Sequence, residues 1–337
     1  MNTMTPEGYS RAYNNRLLVP DFQNILRLWD EESAQARQAL EHQGLGHWNL
    51  AYGPRPLNTL DLIQPAQAGG GAGAPILVFI HGGYWRMLDK SAQTFIAPRL
   101  SQRGAMVVIP NYSLAPSVGL EDISLEIAQA LAWVWAHARQ WGGDPQRIVV
   151  AGHSAGGHLT AMALSCQADV LGRAMGLTLP RQLSTRGVAI SGLFDLAPLV
   201  HCEWLMPDIR LTPESIQRLS PVRWSAPRAC GLTVVAGELE SEEFHRQNRL
   251  LEQAWGTRAV QRVEPIAQRN HFSVLEDLAA PWQRLHQLAP LGPADVHRQR
   301  ALALVQAGPV EAAAARGHGL APVVDAALGQ VDADHVG

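Results

Sequence analysis

The segment Gly152-His153-Ser154-Ala155-Gly156 has the clearest chemical content in this chain. It follows a short apolar run, Arg147–Ala151, and precedes a helix-forming run, Ala155–Cys166, so the serine falls on a strand-to-helix turn. A G-x-S-x-G arrangement in that position makes a tight turn. The flanking small residues relieve crowding, and the serine hydroxyl is lifted clear of the sheet edge. The bare pattern arises by chance in chains with this much Gly and Ser; the strand–turn–helix context makes it specific.

A serine needs a base to become a nucleophile, and the base needs a third group to orient it. On such a turn the chain order is serine, acid, histidine. Of the histidines beyond His158, only His271 stands just after the last predicted strand, Ala259–Val263, and before the last predicted helix. His201 falls in an irregular stretch, His245 and His286 lie inside predicted helices, and His297, His318 and His335 lie in the C-terminal tail. The acid should follow the strand Leu232–Ala236, where Gly237-Glu238-Leu239-Glu240-Ser241 offers two carboxylates. Glu240, immediately before the predicted helix Ser241–Trp255, is placed to turn back toward the histidine; Glu238 is the alternative. Glu242 and Glu243 read as first-turn acids that complement the helix dipole.

A fourth element, His81-Gly82-Gly83-Tyr84-Trp85, ends the strand Ile76–Ile80. Glycines let a backbone approach a ligand closely, as an oxyanion site requires. The expected donors are the N–H groups of Gly83, Tyr84 and Ala155. Gly82, Tyr84 and Trp85 are candidates to line the substrate pocket, with core packing at least as good a reading for Trp85. His81 is expected to brace the loop.

The elements that carry these residues alternate. Short Val- and Ile-rich runs are separated by helical stretches near Ser91–Gln102, Glu121–Trp141 and Ala155–Cys166, the pattern of a mostly parallel sheet covered by helices on both faces. An N-terminal helical segment (1–45, with a helix near Asp21–His42) precedes an α/β domain over 46–290. The stretch Phe194–Arg228 interrupts the alternation with five prolines and no clear strand, and reads as a small lid insertion. Residues 67–75 read as a flexible turn. Residues 291–337 carry no aromatic side chain and read as a disordered tail.

Composition narrows the class further. The chain has 337 residues, 47% of them hydrophobic, enough to bury a sizeable core. A net charge of −3 without a basic run argues against a nucleic-acid surface. The apolar runs are too short to cross a bilayer, the N-terminus lacks a signal-peptide pattern, and three cysteines (Cys166, Cys202, Cys230) form no C-x-x-C. A cytoplasmic enzyme with a small-molecule substrate is expected, with no membrane or nucleic-acid partner; monomer and homodimer both remain open. No metal-ligand spacing or nucleotide-binding loop is present, so no cofactor is expected.

Taken together, these motifs resemble the α/β-hydrolase superfamily in its hormone-sensitive-lipase-like branch. That branch typically carries H-G-G-G. Here the run is H-G-G-Y-W, similar to the kynurenine formamidase (arylformamidase) group. Tyr13-Asn14-Asn15-Arg16, Val19-Pro20-Asp21, the acid loop Gly237–Phe244 and Asn270-His271-Phe272 are similar to the corresponding segments of that group. One departure is visible: the group's acid is usually Asp, and Glu240 stands at its place. The resemblance covers roughly residues 9–288. It implies an α/β-hydrolase fold and a serine hydrolase that cleaves N-formyl-L-kynurenine to L-kynurenine and formate, with Ser154, Glu240 and His271 as triad. A carboxylesterase, a hydrolase of another aryl formamide and a binding protein on an inactive scaffold are the rival expectations. Because a serine mechanism needs no metal, turnover is expected to persist in a chelator. Loss of activity that is restored by added metal would contradict that expectation.

Overall fold

The computed structural model describes residues 4–66 and 73–279. Its strands are β1 Gly46–Ala51, β2 Thr59–Ile63, β3 Ala74–Ile80, β4 Met106–Pro110, β5 Gly143–His153, β6 Arg186–Ile190, β7 Gly231–Gly237 and β8 Val260–Ile266. They form one sheet in the order β1-β2-β4-β3-β5-β6-β7-β8. The β1–β2 and β2–β4 pairs are antiparallel, and every pair from β4–β3 to β7–β8 is parallel. The mostly parallel α/β architecture read from the sequence is therefore present.

Side-chain alternation on β3 explains why a strand so uniformly apolar is stable there. Ile76, Val78 and Ile80 enter one core, with Met106, Val108, Ile148 and Val150 and with residues of the helices Leu120–His137 and Ala155–Ser165. Leu77 and Phe79 enter the opposite core, with Val107, Ile109, Val149 and Ala151 and with Trp29, Leu40 and Leu100 from helices on the other side. Each face of a central parallel strand is thus dry, which is why it carries no polar alternation.

Several elements differ in detail from the sequence reading. β1 lies at the sheet edge, its register breaks between His47 and Leu50, and Asn49 has φ 56°. A bulged edge strand does not alternate cleanly, so it was not legible. The helix expected near Ser91–Gln102 begins as a 3-10 turn over Lys90–Ile96 and becomes α-helical at Ala97–Gln102. A further helix, Ala168–Met175, ends on Gly176 in the left-handed conformation (φ 68°).

Between β6 and β7 the chain forms short helical turns: Ala197–His201, Met206–Ile209, Pro213–Leu219 and Pro221–Arg223. A proline occupies the first or second position of each. There it costs no internal hydrogen bond and presets φ. Four of the five prolines that made this stretch look irregular are therefore helix starters. The stretch is tied to the N-terminus: the Trp204 indole N–H donates to the Ser10 carbonyl (3.2 Å), and Tyr9 stacks on His201 (5.5 Å). Most of the expected 67–75 turn, the final helix beyond residue 279 and the tail lie outside the described residues. No helix among the described residues is long and apolar enough to cross a membrane.

Three histidines are fully buried near the ends of β3 and β5. Burial lowers the pKa of His81, lowers that of His153 well below the usual value, and takes that of His158 down to about 4. All three are therefore neutral in the fold at pH 7, while the unfolded chain protonates them near pH 6.5. Below about pH 6.5 the unfolded state binds more protons, so the stability held above that pH is lost as pH falls toward the folded values. The melting temperature is expected to be flat between pH 7 and 8 and to fall steadily below about 6.5, with net proton uptake on unfolding in calorimetry near pH 5. A melting temperature unchanged from pH 7 to 5 would count against this.

Candidate active site

All parallel strands point the same way, so the chain segments leaving β3, β5, β6, β7 and β8 gather at one sheet edge, where ligands bind in open α/β sheets. Those segments begin at His81, Ser154, Ser191, Glu238 and Ala267. Each residue of the expected triad lies on one of them.

Ser154 follows the last residue of β5 and has φ 56° and ψ −117°. This is a strained conformation for a non-glycine residue. It is held by the Ser154 N–H donating to the Ile190 carbonyl (2.8 Å), while the Ser154 carbonyl accepts from Gly157 (2.8 Å) and His158 (3.1 Å). The close packing of the turn explains its glycines: a Cβ on Gly156 would collide with the Ile80 carbonyl oxygen. Ala155 begins the following helix, so its N–H has no acceptor within that helix.

His271 is brought to the same edge by a short ordered loop. The Asn270 side-chain oxygen accepts from the Phe272 and Ser273 N–H groups (both 2.9 Å), and the Ser273 hydroxyl accepts from the Asn270 N–H (3.0 Å). This side-chain-capped turn is what Asn before a tight loop provides. The His271 ring packs between His153 and Phe244, each with its centroid 4.7 Å away.

Glu240, rather than Glu238, meets the imidazole. Its Oε2 lies 2.6 Å from His271 Nδ1, and its Oε1 accepts from the Ser191 hydroxyl (2.6 Å) and the Gly237 N–H (2.6 Å). The Glu240 side chain is fully buried. Glu238 is exposed and accepts instead from the Gln268 N–H (2.9 Å), joining the acid and histidine loops. With Nδ1 donating to the carboxylate, the imidazole has Nε2 free to accept a proton.

The H-G-G-Y-W loop takes an unusual backbone path. Gly83, Tyr84 and Trp85 have φ values of 106°, 50° and 58°. Only the first is undemanding. The other two are held from outside the loop: the Tyr84 hydroxyl donates to the Tyr13 carbonyl (2.5 Å), and the Trp85 carbonyl accepts from the Ala115 N–H (2.8 Å). Gly82 lies against the nucleophile turn; a Cβ there would stand 3.1 Å from the Ser154 Cβ. The loop bearing Gly83 and Tyr84 is thus adjacent to Ser154. Trp85 is wholly buried and edge-on to His158 (5.1 Å), a core position. His81 stacks on Tyr112 (4.2 Å) and lies 3.1 Å from the Asn111 side-chain oxygen, bracing the loop.

Some contributors had no local signal in the sequence. Ser191 reaches Glu240 only because β6 lies between β5 and β7. His153 donates from Nε2 to the His271 carbonyl (2.7 Å), linking the nucleophile turn to the histidine loop. Glu243 is buried and accepts from the Tyr13 hydroxyl (2.7 Å), so it does more than complement a helix dipole. Gln247 donates to the same hydroxyl (2.7 Å). Burial, then the neighbouring Glu243, pushes the Tyr13 phenol well up and keeps it a donor. Ser241, next to Glu240, donates to the Ala12 carbonyl (2.7 Å). The N-terminal segment therefore touches both the H-G-G-Y-W loop and the loop that carries Glu240. Among the described residues, no group of three or more His, Cys, Asp or Glu is disposed to hold a metal ion.

The BD-FAE family model matches residues 60–238. A kynurenine formamidase of Danio rerio is 30% identical over 239 residues, 68% of this chain and 76% of that protein. An isoprenylcysteine alpha-carbonyl methylesterase of Arabidopsis thaliana is 31% identical over 182 residues, 51% of this chain and 42% of that protein. Among solved structures, a putative thioesterase from Silicibacter sp. tm1040 superposes with a TM-score of 0.69 at 29% identity, covering 83% of this chain and 97% of that one. The chain belongs to the BD-FAE family, within the kynurenine formamidase-like group of α/β hydrolases.

Proposed function

We propose that this hydrolase cleaves the formamide of N-formyl-L-kynurenine, releasing L-kynurenine and formate, with Ser154, His271 and Glu240 as its catalytic triad. The observation that carries the reading is the buried Glu240–His271 pair on the edge where Ser154 occupies a strained strand-to-helix turn, with the H-G-G-Y-W loop packed against that turn at Gly82. The likeness to kynurenine formamidases supports the formamide as substrate.

In this mechanism His271 Nε2 takes the Ser154 proton as Oγ bonds to the formyl carbon. The carbonyl π pair moves onto oxygen, where the N–H groups of Gly83, Tyr84 and Ala155 receive it. Glu240 stabilises the imidazolium through Nδ1. The tetrahedral intermediate collapses, the C–N bond breaks, and His271 hands its proton to the departing arylamine. Water, deprotonated by His271, then attacks the formyl ester. The C–Oγ bond breaks, the proton returns to Ser154, and formate leaves. An arylamine is a better leaving group than an alkylamine, so esterase-type machinery suffices.

Cleavage of small acyl esters is the second reading, supported by the methylesterase among the relatives. Turnover of N-formyl-L-kynurenine and of a short p-nitrophenyl ester by the purified protein separates the two. Fast formamide cleavage is expected; ester cleavage with negligible formamide turnover would move the protein to the second reading. Ser154→Ala is expected to lower kcat by roughly 10⁴-fold or more for either substrate. Glu240→Gln, which keeps the shape but loses the charge and favours the wrong tautomer, is expected to lower kcat by roughly 10³–10⁴-fold with little change in KM. Near-normal kcat in Glu240→Gln alongside a strong loss in Glu238→Gln would reassign the acid.

A further inference from the structure

The proposed substrate carries an α-carboxylate several bonds from its formyl group, and the triad and oxyanion donors leave that charge unanswered. Arg16 is a cation joined through neighbouring side chains to both the H-G-G-Y-W loop and the His271 loop. Arg16 follows the clamped Tyr13 segment, and its guanidinium touches both Met87 and Phe22. On one side its Nη2 lies 3.0 Å from Met87 Sδ. Met87 packs on Gly83, where a Cβ would stand 3.0 Å from the Met87 Cγ and collide with the Met87 carbonyl oxygen. On the other side the guanidinium lies over the Phe22 ring (5.6 Å), Phe22 stacks on Phe272 (6.0 Å), and Phe272 is edge-on to His271 (5.5 Å). Arg16 is therefore two side-chain contacts from the oxyanion-type loop and three from the proposed base.

Its other features fit a ligand-binding charge better than a structural one. Arg16 is exposed, and no carboxylate among the described residues pairs with it. Arg86, the nearby cation on the other side of the loop, is already committed: it pairs with Asp208 and donates to the Trp204 carbonyl (2.9 Å). The polar contact of Arg16 is a thioether, a weak acceptor that leaves most of its five donors available. A guanidinium held against an aromatic face keeps its edge free for two parallel hydrogen bonds to a carboxylate.

We infer that Arg16 is a specificity-determining residue that binds the carboxylate of an aryl formamide and selects it over analogues in which that carboxylate is a carboxamide. The inference rests on the formamidase reading for the identity of the substrate, but the selection it describes is for charge. Steady-state kinetics on the full chain test it with two matched pairs. One pair is N-formyl-L-kynurenine and its carboxamide. The other is 4-acetoxybenzoate and 4-acetoxybenzamide, which carry the same change of charge on an aryl ester.

Wild-type protein is expected to prefer the acid. Arg16→Gln is expected to reduce the acid-to-amide ratio of kcat/KM by roughly 10–100-fold, mostly through KM, with Arg16→Lys restoring part of it. High salt is expected to shrink the wild-type preference, because exposed charge pairs are screened. A wild-type enzyme without acid preference would overturn the inference. So would an Arg16→Gln variant that loses rate on acid and amide equally, the signature of a packing role on Phe22. If neither formamide is turned over, the formamidase reading fails, and the ester pair alone decides whether Arg16 selects for charge.

Discussion

The carboxylate of Glu240 is the point on which the site depends. It is buried and receives three donors from three parts of the chain: the end of β6 through Ser191, its own turn through Gly237, and the histidine loop through His271. Removing a buried carboxylate from water is costly unless its oxygens are satisfied. Each donor is therefore a condition for the others to hold. The Ser191 hydroxyl and Gly237 N–H fix one oxygen and leave the second directed at the imidazole. The register of β6 against β7 sets this arrangement: with Ile190 paired to Val235, the Ser191 N–H donates to the Val235 carbonyl and its side chain falls beside the acid loop.

The second constraint is backbone strain. Ser154, Tyr84 and Trp85 all have positive φ, and all belong to the two turns that meet at the proposed oxyanion site. Conformations of this kind persist only where their surroundings over-determine them. For Ser154 the surroundings are the sheet itself. For Tyr84 the restraint is a side-chain hydroxyl bonded to the N-terminal segment, so a piece of chain that contributes no strand helps fix the backbone of the oxyanion-type loop.

Much of this architecture was readable from sequence because apolar runs and glycine-rich turns have local causes. Ile76–Ile80 is buried on both faces, and Gly152–Gly156 is a turn that tolerates little else. The order of Ser154, Glu240 and His271 along the chain was legible for the same reason: each follows a strand end. Contacts made by tertiary packing were not legible. Between Glu238 and Glu240 the place before the helix pointed to Glu240, but what holds Glu238 instead, the Gln268 N–H of the histidine loop, had no sequence signal. Ser191, His153 and Tyr13 acquire their roles from strand order and from a segment folding back across the sheet edge. Edge strand β1 was hidden by its own irregularity.

The Tyr13–Glu243 hydrogen bond also has a kinetic meaning. It joins residues 230 positions apart, so the loop it closes spans most of the described chain. Contacts of such long range form late in folding, because the entropy of closure must be met before they contribute. The N-terminal segment docks on Tyr84, His201 and Trp204 as well as on the helix after β7, so its seating draws on partners spread along the chain. Its docking supplies the Tyr13 carbonyl that holds the Tyr84 hydroxyl. A chain that has built its sheet but not seated the segment around Tyr9–Tyr13 would be ordered without the anchor that the Tyr84 hydroxyl meets.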